Sequence, residues 1–86
     1  MDILLSENRF YTADNLAQLV FDKKDSTLIV LHTDVDPSLA GQGVGKKLVL
    51  AIVQYARQNG LKIKAECSFA YAVLTKTSEY ADVLAS

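Results

Sequence analysis

The residues best suited to chemistry are three glycines at alternate positions, Gly41, Gly43 and Gly45, followed directly by Lys46 and a long apolar-periodic segment. Glycines so spaced let a backbone turn tightly and leave its N–H groups uncovered. A helix beginning there points its orphan donors and its positive dipole end the same way. That arrangement suits the holding of a phosphate. Cys67 and His32 form a second set, because a thiol beside an imidazole can be activated as a nucleophile and an imidazole alone can act as a base. Both also have plain structural uses, Cys67 as a small core residue and His32 as a satisfied sheet residue. Glu66 is a third candidate base, but strand alternation groups it with Lys62 and Lys64 on a wet face.

These groups need elements to position them. Asn8 to Thr12 reads as a short strand with Phe10 and Thr12 on one face and Arg9 and Tyr11 on the other. Asp14-Asn15 is turn chemistry, and Leu16 to Asp22 is a second strand. Lys23-Lys24-Asp25-Ser26 is a polar hairpin turn between apolar, β-branched runs, which predicts an antiparallel pair. Leu28 to Val35 is the strongest strand, too apolar for one side to face water, so it belongs in the sheet interior. From Val44 the period becomes helical, with Val44, Leu48, Ile52, Tyr55 and Ala56 on one face and Val49 and Val53 beside them. Asn59-Gly60 stops the helix, Gly60 being suited to the left-handed position. Leu61 to Glu66 alternates apolar and charged residues. Strand, helix and strand in this order predict a β-α-β unit with parallel strands around Val30 and Ile63. Phe69 to Leu84 has helical spacing, with Ser78 placed to cap a last turn in which Tyr80, Val83 and Leu84 pack back.

The expected fold class is therefore α/β (α+β): a mixed sheet of antiparallel N-terminal strands, then a β-α-β unit and a C-terminal helix. His32 and Cys67 would lie at the C-terminal ends of adjacent parallel strands, the end where ligands sit in such sheets. Residues 1–86 read as one domain, without repeats or linkers. The edge strand around Phe10 is open to a partner, and the oligomeric state is not legible.

Composition excludes several classes. Half the residues are hydrophobic and the net charge is −1, with a pI near 5.6, so the chain is globular and offers no bulk attraction to nucleic acid or an anionic membrane. No apolar run approaches the ~20 residues of a membrane span. The N-terminus has no basic segment and no long apolar core, and so does not read as a signal peptide. A lone cysteine fits a reducing, cytoplasmic setting.

Among glycine-rich phosphate motifs, a P-loop fails because Ala40 stands at the first glycine and Lys47 at the magnesium-binding hydroxyl. A dinucleotide fingerprint counted from Gly41 puts Lys46 at the third glycine, and fails too. The run Gly41-Gln42-Gly43-Val44-Gly45-Lys46 instead resembles the acetyl-CoA pyrophosphate loop of the GNAT superfamily of N-acetyltransferases, Arg/Gln-x-x-Gly-x-Gly/Ala. Gly43 and Gly45 match its small positions, and Ala40 replaces its usual Arg or Gln. Most of the chain is similar to the short, single-domain branch of that superfamily. The shared marks are Arg9-Phe10, His32-Thr33-Asp34-Val35, Cys67-Ser68-Phe69 and Ser78-Glu79-Tyr80, with Ser68 and Ser78 in place of proline and Thr77 where a His is common.

The resemblance implies acetyl-CoA as cosubstrate. Pantetheine would lie along His32 to Val35, including Thr33 and Val35, with pyrophosphate on Gly41, Gln42, Gly43, Val44, Gly45 and Lys46. It implies direct attack of an amine on the thioester, with backbone N–H groups near the end of the central strand polarising the carbonyl and a base removing the amine proton. From their places at the expected ligand edge, His32 is a candidate for that base and Cys67 for lining the acyl group or accepting the acetyl group as a nucleophile. Larger members carry an Asn and, seven residues later, a general-acid Tyr; those positions hold Cys67 and Leu74 here, and Tyr71 lies on another helical face, where packing is expected. The acceptor, a small-molecule or protein amine, is not legible. Two further readings stand beside the transferase: a CoA-binding module with decayed catalysis and a regulatory or partner-dependent role, and a structural protein whose glycine turn binds nothing.

Overall fold

The computed structural model describes residues 2–85. Five strands, β1 (Ile3–Leu5), β2 (Arg9–Thr12), β3 (Ala17–Lys24), β4 (Thr27–Val35) and β5 (Lys62–Ala65), form one sheet in the order β1-β2-β3-β4-β5. Neighbours are antiparallel up to β4, and β4 and β5 are parallel. The connection between them carries a 3-10 turn (Pro37–Leu39) and helix α1 (Val44–Asn59); α2 (Ser68–Thr75) and a 3-10 segment (Ser78–Val83) follow β5. The mixed sheet and the β-α-β unit are as the sequence predicts.

Local chemistry accounts for these elements. Asn15 and Asp25 take left-handed φ of 64° and 56° at the two hairpin turns, a conformation that short polar side chains tolerate. Lys23 and Lys24 belong to β3, so the second turn shrinks to Asp25-Ser26. Gly60, at φ 65°, closes α1 by donating its N–H to Ala56 O, the left-handed stop expected of it.

The core lies on one face of the sheet. Phe10, Leu19, Phe21, Leu28, Val30 and Ile63 pack there against the apolar face of α1. Ala70 and Leu74 of α2, with Tyr80 and Val83, complete the same cluster. On the opposite face Arg9, Tyr11, Gln18, Val20, Ile29, His32 and Asp34 alternate with the core residues, and none of them is buried.

Three details differ from the sequence reading. The strand around Phe10 is not an edge: β1 pairs outside it through Leu5↔Phe10 and Ile3↔Thr12. Three apolar residues after an acidic N-terminus are too short to signal a strand alone, and the partner makes them one. Thr77, not Ser78, caps the last segment, its hydroxyl accepting from Glu79 N–H. Tyr71, expected to pack, is 60% exposed. The chain's end is tied to β5 by Ala85 N–H donating to Ile63 O and to α1 by Arg57, whose guanidinium grips both Asp82 oxygens and Glu79 O.

Candidate functional site

The glycine turn is built on an anchored entry. Asp36 accepts the Ser38 N–H at 2.9 Å, Pro37 presets the following turn, and Leu39 is buried beneath it. The Ser38 N–H, and after it the Ser38 side chain, hold the Asp36 carboxyl below its ordinary value. From there Gly41 and Gly43 take φ of 81° and 69°, where any side chain would be strained. A Cβ on either would meet nothing within 4 Å, so the backbone stands open to solvent.

Gly43 is the N-cap of α1, and no side chain caps this end and no acidic residue stands in its first turn. The first helical hydrogen bond runs from Lys47 N–H to Gly43 O. The N–H groups of Val44, Gly45 and Lys46 are therefore orphan donors pointing out of a sixteen-residue helix. Asp36 and Thr77 cap the two 3-10 segments with their side chains, whereas this helix start leaves its N–H groups without a side-chain acceptor.

Gly45 has a different requirement. Its backbone is ordinary helix, but a Cβ there would fall 2.7 Å from the tip of the Phe69 ring. Phe69, at the start of α2, thus closes onto the turn, and the two bound a cleft of about 420 Å³. Val35, Leu39, Val44 and Val73 line it with apolar side chains, and Lys46, exposed, lines it too.

At Val35 the cleft meets the part of β4 that has left its parallel neighbour. β4 and β5 pair from Thr27↔Lys62 to Val30↔Ala65 and no further. Val30 O accepts from both Glu66 N–H and Cys67 N–H, and the chain then leaves the sheet as α2. At the same level β4 carries a bulge: Val20 faces His32 and Phe21 faces Val30, leaving Leu31 unmatched. Asp36 N–H donates to Leu16 O on the β3 side. Counting back by two, Asp34 and His32 point their backbone groups at β3 as well, and Thr33 and Val35 point theirs into the gap.

Side chains divide between the faces. Thr33, opposite Leu19, looks to the core side, where its Oγ1 lies 3.6 Å from Cys67 Sγ. Cys67 is half-buried at the N-cap of α2. Burial pushes its thiol up, but the N–H groups of Ala70 and Phe69 and the Thr33 hydroxyl outweigh this and bring it below the ordinary value. No N–H bonds the sulfur with proper cap geometry, so these donors act as nearby dipoles. His32, opposite Val20, lies on the open face, and its Nδ1 is 3.0 Å from Asp34 Oδ2.

The structure thus brings Val35, Gly41, Gly43, Val44, Gly45 and Lys46 to one cleft, with Gln42 exposed on the same turn. It sets Thr33, rather than His32, beside Cys67. Sequence reasoning missed the bulge at Leu31 and the approach of Phe69 to Gly45, which are pairing and packing facts. It also passed over Asp34, although a two-residue step along a strand already placed it on the face of His32.

Comparison with known proteins agrees with this geometry. The sequence model of the GCN5-related N-acetyl-transferase family matches residues 9–83. The NMR solution structure of a GCN5-like putative N-acetyltransferase from Staphylococcus aureus superposes with a TM-score of 0.81 at 43% identity, over 99% of this chain and 88% of the other. The crystal structure of the ribosomal-protein-S18-alanine N-acetyltransferase from Escherichia coli shares the fold at 15% identity, with a TM-score of 0.64 over 84% of this chain and 53% of that one. No curated protein matches the sequence. With the glycine turn, the bulged strand and the parted β4 and β5 all inside the matched span, the chain belongs to the GCN5-related N-acetyltransferase family.

Proposed function

We propose that the protein binds acetyl-CoA and transfers its acetyl group to an amine. One observation carries this reading: a single apolar cleft is lined both by the uncapped N-terminus of α1 and by Val35, the last residue of the β4 stretch that has parted from β5. An anion held by the Gly43 to Lys46 N–H groups would anchor one end of a long thiol ester, and the β4 backbone at Thr33 and Val35 would hold an extended amide-bearing arm. The residues fit the group, because the glycines keep the cradle clear where a side chain would fill it.

Acetyl-CoA supplies the activated carbonyl. Backbone N–H groups near the end of β4 would stabilise charge on its oxygen. His32 would take one proton from the acceptor ammonium, the freed nitrogen would bond the carbonyl carbon as the carbon–sulfur bond breaks, and the departing CoA thiolate would take up the second nitrogen proton to leave as the thiol. Cys67 and Thr33 line the acyl end from the core side. Among the described residues no element buries the open face beside His32, which suits a protein terminus or a lysine as acceptor. The free thiol is consistent with work in the cytoplasm, by residues 1–86 acting as one domain.

A second reading is CoA binding with little turnover. It is favoured by Leu74, fully buried where larger relatives have a phenolic acid for the departing thiolate. Titration with CoA and acetyl-CoA, followed by amide chemical shifts, tests the common part: shifts are expected from Gly41 to Lys46. Mass spectrometry of an amine panel incubated with acetyl-CoA then separates transfer from binding and shows whether Cys67 takes up the acetyl group. Unmoved glycine amides at millimolar ligand overturn both readings.

A further inference from the structure

The open face of the sheet carries an ordered chain of polar side chains. Arg9 Nη1 donates to Asn15 Oδ1 at 3.1 Å and to Gln18 Oε1 at 3.0 Å. The Arg9 guanidinium also lies 4.1 Å over the Tyr11 ring. Gln18 Nε2 donates to Asp34 Oδ2 at 3.1 Å, and the same oxygen meets His32 Nδ1 at 3.0 Å. Three strands thus contribute to a relay that ends on one imidazole. Gln18 lies directly opposite Asp34 on β4 and Tyr11 on β2, so Arg9, opposite Val20, reaches it diagonally.

The direction of each bond is fixed by chemistry. Arg9 can only donate, so Gln18 presents its carbonyl to it and its amide to Asp34. An ionised carboxylate can only accept, so the His32 proton must sit on Nδ1. That leaves the lone pair of the neutral ring on Nε2, which has no hydrogen-bond partner among the described residues. The charged groups on this face around the ring are Asp34 on its own strand, Arg9 on β2, Asp22 on β3, and Lys64 and Glu66 at and after the β5 end.

We infer that Asp34 is a positioning residue for His32: with Gln18 and Arg9 behind it, it fixes the ring and its tautomer so that Nε2 receives the proton of the acceptor amine. The balance is simple. An ammonium loses one proton to Nε2, the imidazole becomes an imidazolium, and no oxidant, metal or further reactant is needed. The assignment rests on the transferase reading, but its structural half is measurable without turnover.

The first experiment is therefore ring nitrogen NMR of the uniformly 15N-labelled full chain at a pH where His32 is neutral. The expected spectrum has a protonated Nδ1 and an unprotonated Nε2, and Asp34→Ala abolishes that preference with the remaining amide spectrum unmoved. A wild-type ring protonated on Nε2, or a preference that survives in Asp34→Ala, overturns the inference. Where acetyl transfer is measurable, Asp34→Ala lowers kcat by at least about tenfold and leaves the KM for acetyl-CoA unchanged. Adding His32→Ala to it then costs nothing beyond His32→Ala alone. Equal kcat for Asp34→Ala and wild type, or losses that multiply in the double variant, sink it. Failure of the glycine amides to respond to CoA would count against the transferase reading, and the tautomer would still decide the role of Asp34.

Discussion

The two halves of β4 have the same strand conformation and opposite uses. From Thr27 to Val30 the strand is paired on both sides, and Leu28 and Val30 are fully buried. From Leu31 to Val35 it is paired on one side only, and Leu31 and Val35 are 43% and 37% exposed. The change comes within one residue, where the bulge at Leu31 and the departure of the chain after Ala65 coincide. A doubly paired strand has no backbone to spare for a ligand. A singly paired one has every second N–H and C=O available, held rigid by the ladder behind it. Half of the strand holds the fold, and the other half is free to bind.

Substitutions in the two halves should separate most widely. Leu28→Ala removes a fully buried side chain and is expected to cost about 3 kcal/mol, a large fraction of the stability of so small a chain. Val35→Ala should change stability by less than about 0.5 kcal/mol while weakening acetyl-CoA binding. Thermal melts and a ligand titration on both variants measure the contrast, and equal destabilisation would erase it.

Gly43→Val comes next. A β-branched residue at φ 69° is strained, and its side chain would cover the N–H groups at the helix start, so CoA affinity should fall by about tenfold or more. Amide spectra should show the sheet intact and the ligand shifts lost.

Thr33→Val probes the acyl end on a smaller scale. Removing the hydroxyl that helps hold the Cys67 thiol below its ordinary value should raise it again, so alkylation of Cys67 would require higher pH. The depressed thiol contributes stability above the usual thiol range, and that contribution is lost as pH falls through its folded value. The variant should therefore lose a little stability at alkaline pH and none at neutral pH.

The smallest effect is expected from Arg57→Ala. Arg57 holds the Asp82 carboxyl below its ordinary value, so the pair stabilises the fold above the usual carboxylate range and ceases to as pH falls through the Asp82 value. Both groups are exposed and screened. The variant should melt slightly earlier at neutral pH and no earlier in strong acid. Amide exchange should quicken at Ala85, whose N–H bonds Ile63 O, and not at Thr33.

Much of this was legible in the chain. The helical period from Val44 to Ala56, the stop at Gly60 and the apolar run from Leu28 to Val30 each state their structure locally. So does the glycine turn, because positive φ at Gly41 and Gly43 is a property of single residues. β1 was not legible, since Ile3 to Leu5 becomes a strand only against β2. Nor was the division between His32 and Cys67: their order along two strands suggested neighbours, but the bulge sets which face each residue after Leu31 takes, and Thr33 receives the thiol.

The sequence by itself determined the family-like turn, the helix that follows it and the strand that leads into it, because propensity, φ and periodicity act over a few residues. Only the tertiary structure decided where β4 parts from β5, why Gly45 must lack a Cβ beneath Phe69, and which partners His32 and Cys67 meet. Those depend on contacts between segments far apart in the chain, and no local rule of spacing encodes them.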